Sequence, residues 1–255
     1  IGGKRQLSKR LVAIIEDTDH DLYAEPFVGM GGVFFRRGKR APVEAINDLS
    51  EDVSTFFRIL QRHYEPFMDM LKWRVSSRSD FDRLMATDPA TLTDLERAAR
   101  FLQLQRLAFG GKVSGRTFGV SSTTPARFDV MKLAPLLEAA HERLSGIWIE
   151  RLPYADFIKR YDRPDALFFC DPPYWGSEHY YGRDLFSRDD FERLAQVLKG
   201  IQGRFILTVN DRSELRDIFA WATIETATLT YCAGGRNDVK AREIIITGGR
   251  RTTRS

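Results

Sequence analysis

Hydrophobic and polar positions alternate here between short apolar runs and longer one-faced stretches. The runs at 166–170 (Ala-Leu-Phe-Phe-Cys) and 205–209 (Phe-Ile-Leu-Thr-Val) are too short for helices and show no polar alternation. Such runs read as strands buried on both faces, inside a parallel sheet. Residues 22–25 read as the first strand, 43–46 as the second and 148–152 as a further one. Tyr231, Gly234-Gly235 and residues 243–247 read as a terminal hairpin. Between these runs, apolar residues fall at helical spacing: Leu7, Leu11, Ile14 and Ile15; then Val53, Phe56, Phe57 and Leu60; then Phe191, Leu194, Ala195 and Leu198. Residues 133–144 also read as a helix.

From 64 to 128 the strand signals vanish. Thr93-x-x-Glu96 has the form of a capping box, and Ala98, Ala99, Leu102 and Phe109 suggest a helix running to Gly110-Gly111. The pattern therefore predicts an α/β domain from 1–60 and 129–255, with a helical subdomain inserted at 61–128.

The stretch that ends the 166–170 run carries the most chemistry. It continues as Asp171-Pro172-Pro173-Tyr174-Trp175. Proline cannot donate to a ladder, so the strand stops and Asp171 sits at its carboxyl end, where open α/β sheets bind ligands. Neither proline has an N–H, so the carbonyls here are acceptors with no donor beside them. A carboxylate, a fixed carbonyl and a tyrosine face suit a flat ring carrying an exocyclic amine. An isolated Asp-Pro-Pro could equally be a loop whose aspartate caps a helix.

The first strand runs into Glu25-Pro26-Phe27-Val28-Gly29-Met30-Gly31-Gly32, a glycine-rich turn of the kind that cradles a nucleotide-like ligand. The dinucleotide fingerprint needs a further glycine where Phe34 stands, so NAD is disfavoured. Asp48 follows the second strand, about 20 residues on, where an acid takes ribose hydroxyls. It, or Ser50, could instead cap the next helix.

Asp171-Pro172-Pro173-Tyr174 resembles the catalytic motif of amino-methyltransferases that use S-adenosylmethionine. The order of motifs resembles the Dam-like DNA adenine-N6 methyltransferases, especially those of phages and prophages. That resemblance implies a Rossmann-like class I methyltransferase sheet, mostly parallel with a reversed terminal strand, plus an inserted DNA-recognition subdomain. It implies catalysis by Asp171, Pro172, Pro173 and Tyr174. It implies a donor site from Lys4 of the opening Gly-Gly-Lys, Phe27, Gly29, Gly31, Asp48 and Asp171, with Asp156-Phe157 at the donor's adenine. The family signature Asn-Arg, Gly, Phe-Asn-x-Pro-x-Gly is matched only loosely by Gln105-Arg106, Gly110-Gly111 and Phe118-Gly119; its later Asn and Pro are missing.

Composition fits this reading. The chain of 255 residues has a net charge of +4, compatible with nucleic acid. Arg36 and Arg37, and in the middle Arg106, Lys112, Arg116 and Arg127, are the candidates for phosphate contact; any one cluster could also be a solvated face. Cys170 and Cys232 are too few for a disulfide framework, and the four histidines form no metal motif, so no metal is expected. No apolar run reaches membrane-spanning length and no secretory signal is visible. The first residue is not methionine, so a few residues are expected to be missing or trimmed. A reducing cytoplasm is expected.

The sequence reading is thus a DNA methyltransferase, site-specific or relaxed, that moves a methyl group from S-adenosylmethionine to the N6 amine of a flipped-out adenine in double-stranded DNA. No membrane and no obligate protein partner are inferred. The alternatives are an RNA adenine-N6 or DNA cytosine-N4 methyltransferase and, from another class, a catalytically silent DNA-binding regulator.

Overall fold

The computed structural model describes residues 4–108, 117–119, 125–176, 186–231 and 239–249. Seven strands form its sheet: β1 (Leu22–Glu25), β2 (Val43–Asn47), β3 (Trp148–Glu150), β4 (Ala166–Cys170), β5 (Arg204–Asn210), β6 (Thr223–Tyr231) and β7 (Val239–Gly249). They lie in the order β3-β2-β1-β4-β5-β7-β6. β1 pairs in parallel with β2 and β4, and β4 with β5. β7 runs antiparallel to both β5 and β6. This is the mostly parallel sheet with a reversed strand that the sequence predicts. Every residue of β1 and β4 is buried, which is why neither shows polar alternation.

The helices are α1 (Lys4–Asp17), α2 (Glu51–Arg62), α3 (Tyr64–Lys72), α4 (Arg78–Ala86), α5 (Asp94–Leu107), α6 (Val130–Leu144), α7 (Tyr154–Tyr161), α8 (Asp189–Gly200) and α9 (Ser213–Ile218). Phe157 of α7, Phe191, Leu194 and Leu198 of α8, and Leu215 of α9 pack with Phe168 and Phe205 of the sheet in one apolar cluster. α5 opens on the expected capping box: the Thr93 side chain accepts from the Glu96 N–H, and Glu96 accepts from the Thr93 N–H.

The chain divides into two compact units, Ile1–Leu49 with Glu150–Ser255, and Ser50–Ile149. The second unit therefore takes in α2 and α6, which the sequence pattern left with the sheet. The reason lies in what α2 packs on. Its Phe56 meets Phe67 of α3 and Phe101 of α5, at ring separations of 6.1 and 5.7 Å. A one-faced apolar pattern establishes that a helix is packed, not which layer receives it.

Candidate active site

The register of the sheet aligns the carboxyl ends of β2, β1, β4 and β5. Cys170 stands beside Leu207, so Asp171 follows on alongside Thr208. The Thr208 hydroxyl donates to Asp171 Oδ1 at 3.1 Å. Four residues on, the Trp175 N–H donates to Asn210 Oδ1 at 2.9 Å, and Asn210 Nδ2 donates back to the Trp175 carbonyl at 3.0 Å. Pro172 and Pro173 are buried, while Asp171, Tyr174 and Trp175 are partly exposed. The Trp175 indole packs on Phe191 at 5.3 Å and lies beneath the Arg188 guanidinium. Burial pushes the Cys170 thiol well above its ordinary pKa, with smaller contributions from the charges of Glu25 and Asp171. It is a neutral core residue, not a nucleophile.

The glycine turn is built by backbone bonds. The Val28 N–H reaches the Asn47 carbonyl at 2.9 Å, and the Gly31 N–H reaches the Val28 carbonyl at 2.8 Å. Gly29 and Gly31 have φ of +51° and +68°, the left-handed region where glycine is favoured. A Cβ on Gly31 would come within 2.4 Å of the Phe35 ring, so this glycine lets the turn close over an aromatic. A Cβ on Gly29 would meet no atom within 4 Å. That side of the turn is open at the level of the backbone.

Asp48 belongs to this turn: its Oδ2 accepts from the Gly29 N–H at 2.9 Å. Ser50, the capping residue of α2, makes no side-chain cap bond. An open glycine backbone with a carboxylate at its side fits a ligand carrying ribose hydroxyls, as S-adenosylmethionine does. The Phe27 ring lies 5.4 Å from Tyr154 and 5.7 Å, edge-on, from Phe186. Tyr154 donates to Asp190 at 3.1 Å. Burial first, and then that carboxylate, raise the phenol's pKa, so it stays a donor.

The remaining sequence candidates divide. Lys4 is the first residue of α1. Asp156 is exposed in the first turn of α7. Phe157 is fully buried and packs on Tyr161 at 4.8 Å, so its ring belongs to the core, and the expected contact with a donor's adenine does not fit its burial.

Arg36 is exposed and donates to the Gly32 carbonyl. Arg37 corrects the sequence reading. Its guanidinium is buried against Glu44 at 2.8 Å, with side-chain exposures of 1% and 2%, and lies 3.5 Å over the Tyr23 ring. It is not available to a phosphate. Arg106 is exposed and holds the carbonyl of Arg127 through Nε and Nη2, at 3.2 and 3.1 Å. Arg127 is exposed as well. Lys112 and Arg116 lie outside the described residues.

Sequence reasoning missed Thr208, Asn210 and Asn47. Buried Asn47 donates to the Pro26 and Leu152 carbonyls at 2.9 and 3.0 Å and accepts from the Leu152 N–H at 2.8 Å. Asn47 and Asn210 close β2 and β5, and Thr208 lies two residues before the end of β5. A polar residue inside or at the end of an otherwise apolar run is the signal that could have found them.

The sheet, with antiparallel β7 beyond parallel β1, β4 and β5, a glycine turn after β1 and an Asp-Pro-Pro-Tyr corner after β4, has the architecture expected of a methyltransferase. Residues 1–231 match the D12 class N6 adenine-specific DNA methyltransferases, and the chain belongs to that family. It is thus an S-adenosylmethionine-dependent enzyme that methylates adenine N6 in DNA, and the RNA, cytosine-N4 and silent-regulator alternatives are not favoured. A relative is the Type II methyltransferase M.CviBI of Paramecium bursaria Chlorella virus NC1A, 20% identical over 220 residues, or 86% of this chain and 84% of that one.

Among solved structures, precorrin 8w decarboxylase from Methanobacterium thermoautotrophicum aligns at a TM-score of 0.42 and 11% identity, over 96% of this chain and 90% of its own. TrmN from Thermus thermophilus aligns at 0.41 and 13%, over 94% and 47%. Among the described residues, no helix is long and apolar enough to cross a membrane, and no group of three or more His, Cys, Asp or Glu is placed to hold a metal ion.

Proposed function

We propose that the enzyme acts on double-stranded DNA and that the corner from Asp171 to Tyr174 holds the target adenine. The observation that carries this is Asp171 at the carboxyl end of β4, fixed by Thr208, one strand from the open glycine turn. Asp171 and the Pro172 carbonyl accept the two hydrogens of the N6 amine. This draws the nitrogen toward a pyramidal shape and frees a lone pair otherwise delocalised into the ring. The donor supplies an electrophilic methyl group on a sulfonium. As positive charge develops on the amine nitrogen, the Asp171 carboxylate stabilises it. Asp171 need not be a strong base, because a methylated ammonium on an aromatic ring is very acidic. Tyr174 holds the ring by stacking once the base has left the duplex.

Lys4, Phe27, Gly29, Gly31 and Asp48 hold the donor, with Asp171 at the shared boundary and Asp156 at its rim. Phe157 supports this side from the core. Asp48→Ala is expected to weaken binding of S-adenosylhomocysteine by about 1.5–3 kcal/mol, the scale of a hydrogen bond to a charged group. Calorimetry measures it; an unchanged affinity would return Asp48 to a purely structural role beneath the Gly29 N–H.

The unit from Ser50 to Ile149 serves in DNA recognition, with Arg106 and Arg127, and outside the described residues Lys112 and Arg116, as phosphate contacts. Arg36 adds a cation from the other unit. The stretch from Phe118 lacks the Asn and Pro of the family signature, and on that ground target choice is taken as short or relaxed. The enzyme works in a cytoplasm, in keeping with its phage-like motif order. Incubation with mixed-sequence duplex, single-stranded DNA and RNA, followed by mapping of N6-methyladenine, tests these points. Duplex modified at many adenines is the expected result. A preference for RNA or single strands overturns the duplex assignment, and confinement to one long motif overturns the relaxed one.

A further inference from the structure

We infer that Thr208 and Asn210 are positioning residues, a two-point brace by which β5 sets the geometry of the catalytic corner. The inference rests on the reading of Asp171 as the amine acceptor. Two residues apart on a strand, Thr208 and Asn210 point to the same face. Leu207 and Val209 point to the other face and are buried in the apolar cluster, which fixes the rotation of the strand. Thr208 then meets the first residue of the corner and Asn210 the last.

The two contacts are complementary in chemistry. A threonine hydroxyl donating to Oδ1 sets the rotation of the Asp171 carboxylate, and with it the direction in which the carboxylate meets an amine. Asn210 supplies both an acceptor and a donor, so it grips the Trp175 peptide as a neighbouring strand would. The segment between them contains two prolines and has few N–H groups of its own with which to hold its shape. The brace supplies from β5 what the corner's own backbone lacks. Thr208 is fully buried, and a buried hydroxyl will take any acceptor it can reach. If satisfying that hydroxyl were its whole role, removing it would leave turnover unchanged.

The test is steady-state methylation of a duplex oligonucleotide by Thr208→Val, Thr208→Ala, Thr208→Ser and Asn210→Ala, with calorimetry on S-adenosylhomocysteine and thermal midpoints for each. Thr208→Val and Thr208→Ala are both expected to lower kcat roughly ten- to hundred-fold, the range that a misplaced reacting group costs. Donor affinity and KM for DNA should stay near wild type. Thr208→Ser keeps the hydroxyl and should restore most of the rate. Asn210→Ala should repeat the kcat loss with donor affinity retained.

Wild-type kcat in Thr208→Val overturns the brace. So does a loss confined to one of Val and Ala, or a failure of Ser to rescue, since each assigns the effect to packing. Asp171→Ala is run beside them. If it turns over normally, the reading of Asp171 fails and the brace with it. If it is dead while Thr208→Val is normal, only the brace fails.

Discussion

Asp171→Ala should lose methyl transfer while still binding S-adenosylhomocysteine. Asp171 faces the amine in this mechanism, and the donor is held by the turn after β1 and by Asp48. Alanine removes the acceptor that pulls one hydrogen out of the ring plane and the charge that meets the developing ammonium. Removing one preorganised electrostatic group of this kind costs on the order of 10²–10³ in kcat. Here the loss should be at the upper end or beyond, because one carboxylate serves both purposes. Asp171→Asn is the sharper probe. It keeps one acceptor oxygen but adds an N–H₂ and removes the charge, so it should stay far below wild type. Tritium transfer to DNA gives the rate and calorimetry the donor affinity. Near-normal turnover in either variant would end the mechanism.

Arg37→Ala is expected to destabilise the fold by about 3–5 kcal/mol, the cost of leaving one member of a buried ion pair without the other. The guanidinium does several things at once. It pairs with Glu44 Oε1, holds the Lys39 carbonyl through Nη2 at 3.1 Å and covers the Tyr23 ring. Glu44 Oε1 also accepts from the Ala41 N–H at 3.2 Å, so the loop from Arg37 to Glu44 closes around the pair. Tyr23 in turn donates to Glu25 Oε1 at 2.6 Å, beneath the glycine turn. Arg37→Ala would strand the Glu44 carboxylate in the core. Replacing both partners together, as Arg37→Met with Glu44→Leu, should recover much of the loss, since no buried charge is then left alone. Urea unfolding of the two single variants and the double variant measures this. A cost for Arg37→Ala below about 1 kcal/mol would contradict the buried assignment.

Arg37 also shows what a sequence conceals. Arg36 and Arg37 read alike as candidates for phosphate contact, yet Arg36 is exposed and Arg37 is among the most enclosed side chains present. Charge is written in the sequence, but the partner that draws it inward, Glu44 on the next strand, is a matter of topology. The central strands and the Asp-Pro-Pro corner that ends β4 were legible because total burial leaves an unbroken apolar run and proline stops it. The glycine turn was legible because a positive φ demands glycine. Thr208 and Asn210 were not, since their roles depend on the register of β5 against β4. Phe157 misled for a related reason. An Asp-Phe pair at a helix start fixes position along the chain, but which of the two faces a ligand depends on how α7 is rotated.

The strand ends beside the glycine turn carry one more consequence. The chain leaves the sheet unit after Leu49 and returns at Glu150, and the two passages are stitched together where they part. Asn47 grips Leu152 on both its N–H and its carbonyl. The Asp48 N–H reaches the Glu150 carbonyl at 3.5 Å, and the Arg151 side chain reaches the Leu49 carbonyl at 3.4 Å. Entry and exit are therefore neighbours fixed by the host, whatever lies between them. Doubling the length of a flexible insert at such a root adds only about 0.6 kcal/mol of closure entropy. The root is thus a socket: the sheet unit holds both ends of the 50–149 segment side by side through its own hydrogen bonds.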